Sequence, residues 1–359
     1  MLAITRRRAF RELARSDARD LVRDPLTGAS MLTFALILLV IHTLMWLAFS
    51  VAGESPRVAP RALTAAPTTE IAEALAPFTA GGEAPNTRLD FAGDRVTLAM
   101  PDSRVGWDAL WQALRAAGVP ADAIEVLGRD GEPAPDFLRL NLATALLSAT
   151  AAIALIGTTV PLVAARERGM LRLLGTTPLP RWLFLASRLP ARLALLAVCA
   201  VGVTAIGLAR RYTEVTALPR LAVTVLCAAV MLFGVAALCA ARARNAEASQ
   251  QLMSGITLAL VFSAGAVLPA FMLPAPVRVA TGLLPGGWVA EAASADLAAI
   301  PPLLPVPAYW ALMLATGTIC FVLAARCFLW DAAPTRNTQP QASVSGVTPQ
   351  APSPEGVIA

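Results

Sequence analysis

Residues 140–165 read LNLATALLSATAAIALIGTTVPLVAA, a run with no aspartate, glutamate, arginine or lysine. A bilayer core of roughly 30 Å needs about 20 apolar residues per helix, so this stretch is long enough to cross one. Five further uncharged windows lie around it, at 25–53, 193–209, 221–241, 248–277 and 297–325. The window at 193–209 is short. Extended back through 182–192 it reaches full length, with Arg188 and Arg192 expected to snorkel to the interface. The window at 25–53 is too long and too central for a cleaved signal peptide and lacks a small-residue exit site. Six membrane spans are expected.

Composition agrees. Of 359 residues, 57% are hydrophobic and 15% charged, and the mean hydropathy is +0.63. Ordinary globular chains run at roughly 45–50% apolar and about 25% charged. A cytosolic globular enzyme and a disordered chain are both excluded. All 29 basic residues are arginine. Without a lysine, this sequence holds no Walker A loop, whose lysine must reach the nucleotide phosphates. The net charge of +5 does not point to nucleic acid, because the arginines follow the membrane boundaries.

Their placement sets orientation, since short cytoplasmic flanks carry the excess of basic residues. Seven precede the first span, six lie between spans two and three, two between spans four and five (Arg242, Arg244), and two follow the sixth (Arg326, Arg336). The opposite flanks hold Arg139, Arg210, Arg211, Arg220 and Arg278. Both termini are therefore expected in the cytoplasm of a multi-pass protein of the cytoplasmic membrane. The Arg210–Arg211 pair departs from this asymmetry, and the sequence gives no reason for it.

The expected organisation is an all-α polytopic membrane protein with six transmembrane helices, an N-terminal interfacial helix and a small α/β extracellular domain. Residues 1–24 form the interfacial helix. Arg7, Arg11, Arg15, Arg19 and Arg23 recur every four positions, a basic face suited to an anionic leaflet. The first span occupies 25–53. Residues 54–136 are the one sizeable polar region, with thirteen acidic residues and seven arginines, a net charge of −6. Within it, 69–78 and 106–117 show helical spacing, and 88–98 and 124–127 alternate as strands do. Trp107 and Trp111 belong to its core. Spans two to six fill 137–328. Residues 274–305 include LPGGW at Leu284, Pro285, Gly286, Gly287 and Trp288 and read either as a segment re-entering the membrane or as a plain external loop. The Pro-, Ser- and Thr-rich residues 329–359 read as a disordered cytoplasmic tail.

Chemistry-bearing residues are few. The five cysteines all fall in or at the ends of spans and form no disulfide framework. His42, the single histidine, lies inside the first span and cannot make a metal site alone. No catalytic residue and no metal site are expected. The uncharged windows contain no proton-relaying carboxylate, which disfavours a secondary carrier.

The connection after span two reads AARERGMLRLLGTTPLPRWLFLASRL, residues 164–189. Residues 166–174 are expected to form one short amphipathic helix, ended by Gly175 in a left-handed cap, with Thr176, Thr177 and Pro178 turning the chain. A short helix held between two spans can dock into a partner's groove.

This stretch resembles the coupling segment of type-2 ATP-binding-cassette (ABC) transporter permeases, with its Glu-Arg-Gly run, leucine pair, Thr-Pro turn and aromatic before the third span. The likeness extends to the basic helix ending in Arg23-Asp24-Pro25, the six spans, the domain after the first span and the Pro-aromatic segment before the sixth. It implies a membrane subunit, not an enzyme, that works with a second permease copy or homologue and with a separate cassette ATPase. ATP and Mg would be bound by that partner, and no cofactor by this chain. A coupling helix at 166–175 is implied, with Arg166, Glu167, Arg168, Gly169, Leu171, Leu174, Thr177 and Pro178 at the ATPase-coupling interface. Uncharged spans suit export of a hydrophobic or amphipathic cargo such as a drug, antibiotic, lipid or peptide. A non-transporting immunity or sensory protein and a secondary carrier stand as the alternatives.

Overall fold

The computed structural model describes residues 2–23, 25–93, 95–101, 104–129, 131–265 and 274–330. The N-terminal helix α1 (Leu2–Arg23) runs almost directly into α2 (Pro25–Trp46), which ends in a π-helical turn, Leu47–Val51. Residues 52–136 then form a small α/β unit. It contains α3 (Arg61–Thr64), α4 (Thr69–Leu75), β1 (Arg88–Ala92), β2 (Arg95–Ala99), α5 (Asp108–Ala116) and β3 (Ile124–Leu127). The strand order is β1-β2-β3, with the first pair antiparallel and the second parallel. Gly93, at φ +62, supplies the left-handed residue of the β1–β2 hairpin, which a side chain would adopt only with strain. Helix α5 crosses between β2 and β3 and buries Leu110, Trp111 and Leu114 against Val96, Leu98, Ile124 and Val126. Both expected helices and the expected strands of this unit are present.

The remaining described residues are mostly helical. It comprises α6 (Phe137–Ala151), a π-helical turn (Ala152–Ile156), α7 (Gly157–Glu167), α8 (Met170–Gly175), α9 (Arg181–Ala186), α10 (Leu189–Ala209), α11 (Leu218–Arg242), α12 (Ala246–Ser263), α13 (Ala275–Gly282), α14 (Pro285–Leu297) and α15 (Val306–Cys327). Among the described residues, five stretches are long and apolar enough to cross a membrane: Met31–Val51, Phe137–Glu167, Arg181–Ala209, Val215–Arg242 and Val306–Cys327. The window expected at 248–277 corresponds to α12, and part of it lies outside the described residues. The window at 297–325 starts later than expected, at Val306, because Pro301, Pro302 and Pro305 interrupt the helix. Of the tail expected at 329–359, Leu329 and Trp330 are packed against the bundle, and 331–359 lie outside the described residues.

Phe137–Glu167 is the central helix of the bundle. In its apolar 18-residue window 83% of the residues are buried, against 11% in that of Met31–Val51, which faces outward. Helices α11 and α15 form the closest helix pair. A Cβ on Gly234 would collide with the backbone of Gly317, and one on Gly317 with the backbone at Val230 and Met231. Without a hydrophobic drive in lipid, helix association depends on this kind of close backbone packing. Trp310 Nε1 donates to Thr224 Oγ1 at 2.9 Å across the same pair, and Thr159 Oγ1 reaches Ala236 O at 3.2 Å to tie α7 to α11.

The Arg210–Arg211 pair finds its explanation where the α/β unit meets the bundle. Arg210 pairs with Asp108 at the start of α5 and stacks over Trp46, 4.6 Å from the ring centroid. Gln112 donates to Arg210 O at 2.9 Å and Arg115 to Arg211 O at 2.9 Å. Tyr212 meets Trp111 edge-on, 5.3 Å between centroids. Arg139 donates twice to Ala298 O, at 2.9 and 2.6 Å. The arginines of this end bind a folded unit, which is why they depart from the charge asymmetry. Burial lowers the affinity of Arg115 for its proton and raises that of the Tyr212 hydroxyl and of the Asp136 carboxyl.

Candidate functional site

The segment between the second and third apolar stretches differs from its expected form. Helix α7 continues through Glu167, and the chain breaks at Gly169, φ +73, before α8 begins at Met170. The left-handed glycine is therefore Gly169, not Gly175, and the single helix expected over 166–174 is two. Gly175 completes α8, and the hydroxyls of Thr176 and Thr177 bond back to Leu173 O (2.8 Å) and Leu174 O (2.6 Å). Such back-bonding satisfies carbonyls that a helix end leaves open.

The expected coupling residues divide between two roles. Arg166 is turned inward, 3% exposed. Its guanidinium donates to Ala240 O (2.8 Å), Ala241 O (3.2 Å), Ala243 O and Leu329 O (3.0 Å) and lies over the Phe328 ring. It caps the end of α11, where the last carbonyls have no helical donors. Glu167 is exposed but accepts from Ala246 N at 2.9 Å, at the start of α12. Leu171 is buried and Leu174 half-buried, and both hold α8 to the bundle. Arg168, Gly169, Thr177 and Pro178 face outward, together with Met170, Arg172 and Leu173. Leu173 is 74% exposed, an apolar projection framed by two arginines. Below α8, Phe184, Phe328 and Trp330 form an aromatic cluster with centroids 5.2–5.9 Å apart. Trp330 lies directly against Gly175.

In α1, Arg7, Arg11, Arg15, Arg19 and Arg23 are all exposed. The opposite side carries Asp17, which is buried and paired with Arg188 (2.5 Å) and Arg192. These two arginines therefore do not snorkel. Arg192 is 3% exposed, and its Nε and Nη2 donate to Gly157 O at 3.1 and 2.9 Å. Sequence reading missed Asp17 and the role of Arg192. The available signal was Pro161, four residues after Gly157, which leaves a helix carbonyl without its amide.

A cleft of about 370 Å³ opens between α2, the π-helical turn of the central helix and α12. Its apolar walls come from Phe34, Ile37, Ile156 and Leu258, and its polar groups from Gln250, Ser254 and Thr257. It has no charged wall. Single-turn π segments inside α-helices frequently mark functional sites. His42 is buried in α2 and does not line the cleft. Among the described residues, no three of histidine, cysteine, aspartate or glutamate gather as a metal site requires.

Pro285 opens α14, and the next two glycines let it pack closely. A Cβ on Gly286 would meet Leu260 O and Ser263 of α12, and one on Gly287 would meet Thr281 O of α13. Trp288 is half-buried. Most of α14 is covered by α6, α11 and α12.

Residues 125–296 match the family described as ABC-2 type transporter. No curated protein matches the chain.

Proposed function

We propose that this chain, which over residues 125–296 matches the ABC-2 type transporter family, is the membrane subunit of an exporter driven by a separate cassette ATPase. The ATPase docks on α8 and the turn that follows it. The observation that carries this is the exposed face of α8. Leu173 and Met170 are 74% and 55% exposed, with the exposed Arg168 just before this helix and the exposed Arg172 within it. An isolated apolar projection with a charged rim is the form of a helix that fills a partner's groove. A second copy of this chain, or a homologue, completes the pathway. Both termini lie in the cytoplasm, the α/β unit lies outside, and α13–α14 re-enters the membrane from that side, where surrounding protein covers its backbone.

The cargo enters the cleft between α2, the central helix and α12. Uncharged walls with a few hydroxyl and amide groups fit a hydrophobic or amphipathic molecule without a net charge at its buried end.

The test is reconstitution. The tagged chain is expected to recover an ATPase carrying a P-loop, and an amphipathic cargo should raise its hydrolysis rate. Arg168→Ala combined with Leu173→Ala should abolish that stimulation while leaving membrane insertion and the thermal midpoint unchanged. Undiminished stimulation in the double variant would refute the docking face.

A further inference from the structure

In an α-helix the carbonyl of residue i accepts from the amide of residue i+4. For Gly157 that amide belongs to residue 161, which is proline and has none. The carbonyl is therefore left open inside the most buried of the five apolar stretches, directly after its π-helical turn. Such a group in a membrane interior costs several kcal/mol unless another donor reaches it. Arg192 of α10 supplies that donor twice over, through Nε and Nη2.

Arg192 is itself held by its surroundings. Its Nη1 pairs with Asp17 of α1 and donates to Arg188 O at 3.1 Å. Asp17 is 5% exposed and bonds no residue of α6 or α7 among the described contacts. A buried carboxylate whose partners are an arginine of α10 and the arginine that caps its start fixes α1 against α10. Met31, at the start of the first apolar stretch, touches the same point, since a Cβ on Gly157 would lie 2.7 Å from its sulfur. On one side of this junction is a cavity of about 340 Å³ bordered by Asp17, Pro161 and Arg192. On the other is the cleft bordered by Ala152 and Ile156. Met31 lines both.

We propose that Arg192 is a positioning residue which replaces the amide missing at Pro161, and that Asp17 holds it there, so the placement of α1 sets the shape of the central helix beside the cleft. Motion of the N-terminal helix reaches the membrane interior through one guanidinium. The link concerns this chain alone and stands whether or not the cargo assignment does.

Hydrogen exchange of the full chain in lipid nanodiscs tests it. Asp17→Asn keeps the side chain's shape and removes its charge. It should speed exchange of the amides in 152–166 about tenfold, the effect of weakening one charge-assisted bond, as well as that of α1. Arg192→Lys, which cannot offer two parallel donors, should do the same in 152–166. Pro161→Ala restores the amide, so in that background neither substitution should change exchange in 152–166, while α1 still loosens with Asp17→Asn. Acceleration confined to α1, or acceleration in 152–166 that persists with Pro161→Ala, overturns the proposal. If Asp17→Asn does not give folded protein alone, it should do so in the Pro161→Ala background, and failure there also overturns it.

Discussion

Arg166 and Arg168 stand two residues apart, and the structure assigns them opposite consequences. Arg166 places one guanidinium against four carbonyls, three of them at the end of α11. Hydrogen bonds to a charged group contribute about 1.5–3 kcal/mol each, but they are not additive, and water reaches part of this helix end once the side chain is gone. Breaking a buried charged network typically costs about 3–5 kcal/mol, and Arg166→Ala should lose that much. For a chain of this size the loss corresponds to roughly ten degrees of thermal midpoint. Arg168 is exposed, and its replacement by alanine should stay within about 0.5 kcal/mol. Thermal unfolding in nanodiscs, followed by tryptophan fluorescence, reads the difference, and Arg166→Lys should fall between because an ammonium reaches fewer acceptors. ATPase stimulation should show the reverse order, with Arg168→Ala impaired at a temperature where both variants are folded. Midpoints for the two alanine variants within one degree of each other would refute the assignment of Arg166 to the fold and return it to the partner surface.

The glycine crossing of α11 and α15 gives a second test. Gly234→Leu or Gly317→Leu should cost at least about 1–3 kcal/mol by overpacking, whereas Gly255→Ala, where a Cβ meets nothing, should be silent in the same thermal assay. Asp136 caps the first turn of α6 through Leu138 N and Arg139 N, and burial raises its pKa above the usual 3.8. The folded chain thus holds this proton more tightly than the unfolded one, so its contribution to stability is full below that usual value and is lost as pH rises through the folded value. Asp136→Asn, which keeps a capping oxygen, should flatten the pH profile above pH 4 and be neutral or stabilising at pH 7, while Asp136→Ala should cost about 1 kcal/mol there. Arg210→Gln should raise hydrogen exchange in α5 without altering α11, because Asp108 loses its ion pair and Trp46 its stacked cation; unchanged α5 protection would show that the apolar contacts alone hold the unit.

Much of the fold is legible from local pattern. Uncharged runs mark the apolar helices because the membrane enforces a length and a composition on each. The β1–β2 hairpin, β3 and α5 follow from periodicities of 2 and 3.6 in residues that share one small core. What escapes is set by pairs far apart in sequence. Asp17 looks like one acid in an arginine-rich helix, and nothing near it announces partners at 188 and 192. Snorkelling is the ordinary fate of an arginine near a span end, and buried Asp17, with the orphaned carbonyl of Gly157, overrides it. Arg210 contradicts the charge rule until the α/β unit is folded onto it. In the candidate docking segment the sequence marks a set of residues but not which way they face. Gly169, with no side chain to strain, breaks the helix two residues before Leu171, which sends Arg166 inward and leaves Leu173 outside.

The aromatic cluster under α8 has a practical corollary. Leu329 N bonds to Ala241 O at 3.1 Å, and Trp330 abuts Gly175, so Trp330 is fixed at the rim of the proposed docking face. A group joined directly to Trp330 would be tethered there at high effective concentration. An affinity tag or fluorescent protein fused after this point would compete with an ATPase for the same space, whereas one placed at a loop of the α/β unit would leave that approach open.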